Sequence, residues 1–568
     1  MSENKVTVFG KNAEERLEIL RDEKGNILLT DDQKRAVLER GRILVSASAG
    51  SGKTSTMVKR IIVMISEGTT LKNLLVLVYN NAAADELKEK LHQELFKAAC
   101  ASSGEKRDRF RQEIDELPFC HICTIHAFCQ SLIRENFDKL GISPTFDVLD
   151  ETRHASYMNR ALDDVIATYT ASGDETFCEL ADIFSQSRKE ENLKSNLIKF
   201  YGLIEIQPDE EEFERCVSEC YDSYENSKFF AILQDYYKTF FANAKNALLP
   251  IKTQLEVLAP TSKYLQSLAV AICFCDELES KSKLFDMCTL ASKYEKPRAT
   301  VSPKASEEEK LLVGYVKDYL KQFHDAIDEM KEICNRQDSL ESAHEQNSKY
   351  VKKLVEVAQT FAKKLEELKQ EDNVLSFEDL QHKALELLSH DEYELSGDFD
   401  AVFVDEYQDV NPTQEAIIRK LVKGECFMVG DVKQSIYGFR LADPAIFISR
   451  QNAYEESVKE GTNVYFNRNF RSAYGILDFV NGVFDSAMTK ASADVDYKKD
   501  ARFELKDVAP VKLEGVSPEG YVQVHLFVKQ KSESVPSFGL YDIEKDEGEE
   551  DDEASSQEGN FIASEIQK

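Results

Sequence analysis

Four short runs of β-branched and aliphatic residues stand out against an otherwise helical pattern: residues 43–45, 74–79, 401–404 and 426–429. Each run ends in polar or glycine-containing text, and helical periodicities lie between them. That arrangement predicts an α/β fold, a parallel sheet with helices on both faces. The second and third runs lie more than 300 residues apart, far beyond an ordinary crossover. The interval is rich in Lys, Glu, Leu and Ala at helical period. Val351, Leu354, Val355, Ala358, Phe361, Leu365 and Leu368 form one apolar face with Lys and Glu opposite. A large all-helical domain inserted over residues 150–375 is therefore expected. The helical pattern returns after Ser472 and runs to about Met488. Residues 521–528 alternate as a strand does. The acidic run 544–553, inside a loop expected at about 544–558, reads as solvated chain.

Composition narrows the function classes. At 568 residues the chain needs more than one core. A formal net charge of −32 argues against a surface coated with nucleic acid, while leaving room for a local basic channel. Residues 1–11 are too polar for a signal peptide, and no run of 18 apolar residues occurs, so no membrane association is expected. The 12 scattered cysteines suit reduced thiols and a cytoplasmic location. Cys120, Cys123, His126 and Cys129 imitate metal-ligand spacing, but no second Cys-x-x-Cys pair accompanies them.

The chemistry is concentrated where the strands end. The first run leads into Ala47-Ser48-Ala49-Gly50-Ser51-Gly52-Lys53-Thr54-Ser55, a strand, a glycine-containing turn and a helix start. This is the layout of a phosphate-binding P-loop. Gly50 and Gly52 let successive N–H groups converge on one anion. Lys53 adds a positive charge for the β- and γ-phosphates, the Thr54 hydroxyl can ligate Mg²⁺, and the following helix directs its positive end at the same point. The third run ends in Asp405-Glu406. Asp405 at the strand exit can hold the metal, and Glu406 can orient and deprotonate the attacking water. ATP and Mg²⁺ are the expected cofactors.

Longer motifs carry a family resemblance. Asp405-Glu406-Tyr407-Gln408-Asp409 resembles motif II of the UvrD/Rep-type superfamily 1 DNA helicases, residues 430–440 resemble motif III, and Asn469-Phe470-Arg471-Ser472 resembles motif IV. Residues 29–33 resemble the Q motif, 79–87 motif Ia, and 124–129 motif Ib. Within the family the motifs are most similar to those of AddA-type helicase–nuclease subunits. Ser376-Phe377-Glu378-Asp379-Leu380 is similar to the segment that re-enters the core, with serine in place of the first aspartate.

The resemblance implies a RecA-like ATP-binding domain in two parts, residues 29–149 and 376–460, after an N-terminal extension over 1–28. It also implies the insertion over 150–375 and an incomplete second RecA-like lobe over 461–568. Gln33 would select adenine and Phe470 stack on it. Gln434 would sense the γ-phosphate, and Arg471 would act as an arginine finger. The DNA track would involve Tyr79, Asn80 and Asn81, then Thr124, His126 and Phe128, then Phe439 and Arg440. Phe439 stands where many relatives have tryptophan, and Asn80 and Ala82 replace the usual threonine and lysine. His126 has a second reading, as a buried hydrogen-bonded residue.

No match to motifs V and VI follows Ser472, so the sequence is expected to represent the N-terminal portion of a longer protein. Two functions remain open. One is an ATP-dependent 3′→5′ helicase/translocase acting on single-stranded and duplex DNA in recombinational repair, with an AddB-like subunit. The other is an ATP- and DNA-binding module with little turnover.

Overall fold

The computed structural model describes residues 13–505, apart from 23, 185–189, 225–226, 304, 391–398, 458 and 490–495, together with Val522. The strand expected at 521–528 and the acidic loop expected at 544–558 lie outside the described residues, Val522 excepted.

The chain divides into two compact units, Met1–Phe213 with Glu356–Val522, and Glu214–Val355. The first unit is built on a six-stranded, wholly parallel sheet. Its strands in chain order are β1 (Arg42–Ala47), β2 (Leu74–Val78) and β3 (His121–Thr124), then β6 (Ala401–Val404), β7 (Glu425–Gly430) and β8 (Thr462–Phe466). Two further strands, β4 (Asp147–Val148) and β5 (Val374–Leu375), pair separately. The order across the large sheet is β3-β2-β6-β7-β1-β8.

Period-two alternation divides each strand between two hydrophobic layers. Ile43, Val45, Val76, Phe403 and Phe427 join one core with Met57, Ile61, Leu87, Leu91 and Leu95 from the helices Lys53–Glu67 and Asn81–Ala101. Leu44, Leu75, Leu77, Val402 and Met428 join the other, with the helices Ile125–Glu135, Phe377–Ser389 and Pro412–Leu421. Both faces are buried, which is why these strands read as continuous apolar runs.

Two sheet strands escaped the sequence reading. The strand β3 pairs with β2, and β8 pairs with β1 from Ile43↔Thr462 to Ala47↔Phe466. The sheet thus extends past residue 460, where the second lobe was expected to begin. Both are edge strands and carry polar residues, so neither forms an apolar run. The pairing of β4 with β5 ties together the points where the chain leaves for, and returns from, its helical excursion. Within that excursion the separately compact unit is Glu214–Val355, narrower than the expected 150–375. Its core joins Phe241, Phe274 and Phe323 from the helices Lys228–Leu258, Tyr264–Glu279 and Glu307–Asn335. Phe241 meets Phe274 and Phe323 edge to face.

One buried cation fixes the geometry near the first strand. The Arg60 guanidinium donates to Ala36 O at 2.7 Å and Glu39 O at 2.6 Å, and to Glu425 at 3.1 Å. It thereby fastens the end of the helix Asp31–Leu38 to the helix Lys53–Glu67 and to β7. Burial lowers its pKa to about 10, with Glu425 opposing. Arg60→Leu should destabilise the first unit by on the order of 3 kcal/mol, because buried carbonyls lose their donor. A thermal melt unchanged by the substitution would show that water replaces the guanidinium.

Candidate functional site

The turn after β1 has the conformation that the glycines require. Gly50 and Gly52 have φ of 70° and 86°, in the left-handed region. A Cβ on Gly50 would lie 2.7 Å from Arg471 Cβ and 3.0 Å from Asn469 Nδ2. The segment after β8 therefore rests directly on the loop. Asn469 Nδ2 donates to Ala49 O at 2.7 Å, Phe470 N donates to Gly50 O at 2.8 Å, and Asn469 Oδ1 accepts from the N–H groups of Arg471 and Ser472. These contacts bring Phe470 and Arg471 to the P-loop. Asn469, to which the sequence alone assigns no role, is the staple.

Gln33 approaches from the other side. Its Oε1 accepts from Thr30 N at 3.0 Å, closing a capping box, while Nε2 donates to Ser51 O at 2.9 Å. Ala47, Ser48 and Ser51 are buried, Thr54 is half-buried and Ser55 is exposed. The buried Ser51 Oγ has no hydrogen-bond partner. Convergent backbone, an ammonium and an orphaned hydroxyl fit a nucleotide phosphate.

Lys53 Nζ pairs with Glu406 Oε2 at 3.1 Å, joining residues 353 apart in sequence. Asp405 sits at the exit of β6, its pKa pushed up to about 6, chiefly by burial and then by Glu406. Glu406 occupies the left-handed region at φ 48°, an uncommon conformation for a residue with a side chain. Thr54 and Asp405 could hold a divalent metal.

Gln408 connects these groups to β7. Its Nε2 donates to Glu406 Oε2 at 3.1 Å and Asp409 Oδ2 at 3.0 Å, while Oε1 accepts from Asp431 N at 2.9 Å. A Cβ on Gly430 would collide with Gln408 Oε1, so glycine leaves room for this amide. Buried Asp431 accepts from Lys433 Nζ at 2.6 Å and Gln434 Nε2 at 2.7 Å. A continuous polar path thus runs Lys53–Glu406–Gln408–Asp431–Gln434. Gln408 and Asp431 stand inside motifs II and III, but their roles escape the sequence because their partners lie far away along the chain.

Asp405, Glu406 and Asp409 line a cavity of about 470 Å³ whose opposite wall includes Tyr79, Tyr437, Phe439 and Arg440. Tyr79 stacks on Tyr437 with ring centroids 4.8 Å apart. Arg440 donates to Tyr79 Oη at 3.2 Å and lies 5.9 Å from the Tyr437 centroid and 5.8 Å from that of Phe439. Phe439 is 77% exposed, an open stacking face. Tyr437 belongs to this cluster, although the sequence did not single it out.

Other residues expected on a DNA track are placed differently. Phe128 is 5% exposed, packed in the core with Cys129, Leu132 and Ile133. It cannot stack on a base, which corrects its assignment. Thr124 caps the helix Ile125–Glu135 through Ala127 N at 3.2 Å. His126 lies 4.9 Å from the Phe377 ring and 3.2 Å from Gln381 Nε2, and burial lowers its pKa. Those contacts match its second reading. Asn80 caps the helix Asn81–Ala101 through Ala83 N at 2.8 Å, and Asn81 is exposed. Burial raises the Cys123 thiol to about 11 and Cys129 to about 12. Among the described residues no helix is long and apolar enough to cross a membrane.

The family profile of the UvrD/REP helicase N-terminal domain matches residues 29–257 and 254–455. A protein of Enterococcus faecalis, named as the AddA subunit of an ATP-dependent helicase/nuclease, is 30% identical over 513 residues, covering 84% of this chain and 40% of its own length. One of the same name from Bacillus velezensis is 30% identical over 574 residues, covering 95% of this chain and 44% of its own length. A third, from Pediococcus pentosaceus, is 30% identical over 505 residues, covering 84% and 40% respectively. The chain therefore spans about two fifths of the length of these relatives. The matched span holds the P-loop, Asp405, Glu406 and the path to Gln434, and the chain belongs to the UvrD/REP helicase family through its N-terminal domain.

Proposed function

We propose that the chain is the ATP-hydrolysing motor portion of an AddA-type DNA helicase/translocase. It would move 3′→5′ and serve double-strand-break repair beside an AddB-like subunit. Direction, repair role and partner rest on the resemblance to AddA-type proteins. The observation that carries the motor reading is the polar path from Lys53 to Gln434, which meets the cavity lined by Tyr79, Tyr437, Phe439 and Arg440.

Bound ATP would supply the scissile phosphoanhydride, and Mg²⁺ would compensate its charge. The N–H groups of residues 50–53 and the Lys53 ammonium would hold the phosphates, with Thr54 and Asp405 on the metal. Lys53 turning to phosphate would release Glu406 to take a proton from water. Gln408 holds both the Glu406 carboxylate and the Asp431 N–H, so displacement of Glu406 would be felt at Asp431 and then Gln434. Gln33 and Phe470 flank the adenine side. Arg471, backed onto Gly50, is assigned to the γ-phosphate, where a guanidinium matches dispersed charge. A second reading, a nucleotide- and DNA-binding module with little turnover, is favoured by the two-fifths coverage of the relatives.

ATPase assays with and without single-stranded DNA separate these readings. The motor reading expects DNA-stimulated turnover that Lys53→Ala abolishes, and equal turnover in that variant would refute it. Nucleotide binding without stimulation would support the second reading. Glu406→Gln should keep ATP binding while losing roughly 10²–10⁴-fold in turnover; lost binding would instead make Glu406 a structural group.

Gln408→Leu should lower the ratio of stimulated to basal turnover, since it cuts the path between Glu406 and Asp431. A proportional fall in both rates would mean that Gln408 serves only to hold Glu406. Phe439→Ala should weaken single-strand binding by about 1–3 kcal/mol, read by fluorescence anisotropy. Unchanged affinity would remove this ring from the proposed DNA track.

A further inference from the structure

A second polar cluster lies in the first unit and shares no residue with the P-loop. His154 lies in the first turn of the helix Glu151–Ser172, Glu205 is the last residue of the helix Glu190–Glu205, and Glu378 lies in the first turn of the helix Phe377–Ser389. Each offers one donor atom, and these atoms fall within 4.8 Å of one another. Glu205 is 8% exposed, and its Oε1 has no hydrogen-bond partner; neither has the buried His154 Nε2. Glu378 Oε2 is 4.0 Å from His154 Nδ1. The Glu205 carboxylate also stands at the negative end of its helix, where an anion is disfavoured. The buried Lys369 ammonium is committed to Asp379 at 2.6 Å.

We propose that His154, Glu205 and Glu378 form a site for one divalent transition-metal ion of the zinc class. One imidazole and two carboxylates match that donor preference better than the all-oxygen shells of Mg²⁺ or Ca²⁺. Bonds of about 2.0–2.2 Å require the donors to close by on the order of 1 Å, within the reach of side-chain rotation. His154 and Glu378 line the 470 Å³ cavity, so an ion has a route from solvent. Burial, then Glu378, raises the Glu205 pKa well above the carboxylate range, and burial lowers that of His154. A dication would offset what protonation otherwise neutralises.

The test is Co²⁺ binding to the whole chain, followed by visible absorption and by equilibrium dialysis with metal analysis. The site predicts one Co²⁺ that persists in Asp405→Asn, with a spectrum free of thiolate-to-metal charge transfer. Affinity should fall at least 10-fold in both Glu205→Gln and Glu378→Gln. Glu378 is half-exposed, so its variant tests the site even where Glu205→Gln fails to fold. Binding unchanged in Glu378→Gln would overturn the assignment, as would a thiolate band from the cysteines. Absence of bound Co²⁺ would overturn it too, leaving a neutral Glu205–His154 pair.

Discussion

The candidate catalytic site depends on closing the distance between two strands that are not neighbours. The P-loop leaves β1 and the carboxylates leave β6, with β7 between them. Strands spaced about 4.8 Å apart put the two exits on the order of 10 Å apart. The Lys53 side chain and the Glu406 carboxylate close that gap at 3.1 Å. Gly430, ending β7, offers no side chain in the way, and Gln408 uses the space to bind both Glu406 and Asp431. The left-handed turn at Glu406 belongs to the same solution. It lets Glu406 reach Lys53 while Asp405 stays at the strand exit, and the uncommon backbone conformation is tolerated because ion pair and amide both hold the side chain.

The buried half of the sheet was legible for a simple reason. Strands covered on both faces need apolar residues at every position, and β1, β2, β6 and β7 supply them. Edge strands face a weaker demand. The Asn463 amide donates to Gln451 O at 2.7 Å and the Tyr465 hydroxyl donates to Glu455 at 2.9 Å. Such polar residues break the pattern by which β8 would be found. Local turn chemistry was equally readable at Gly50 and Gly52, whose positive φ values are a property of a few consecutive residues.

Side-chain roles were less legible where they depend on distant partners. Gln408 matters through Asp431 N, and Asn469 through Ala49 O, a residue 420 positions earlier. Phe128 shows the opposite failure, because its burial was available locally. Phe128, Cys129, Leu132 and Ile133 make the apolar stripe of a helix facing a core. That stripe, rather than membership of motif Ib, decides where the ring goes.

Charge at the cavity bears on how it could receive a polyanion. Its lining holds Asp150, Glu151, Glu378, Asp405, Glu406 and Asp409, with Arg440 the one lysine or arginine among the described lining residues. A phosphodiester would meet net repulsion at that wall, so counterion release cannot supply most of the affinity there. Stacking on Phe439 and Tyr437 carries no such penalty, because an aromatic face accepts any base without regard to backbone charge. Mg²⁺ at Asp405 and a second dication at Glu378 would also lower the negative potential from both ends of the wall. Nucleotide loading and DNA binding would then favour each other through electrostatics alone, in addition to the path that runs through Gln408.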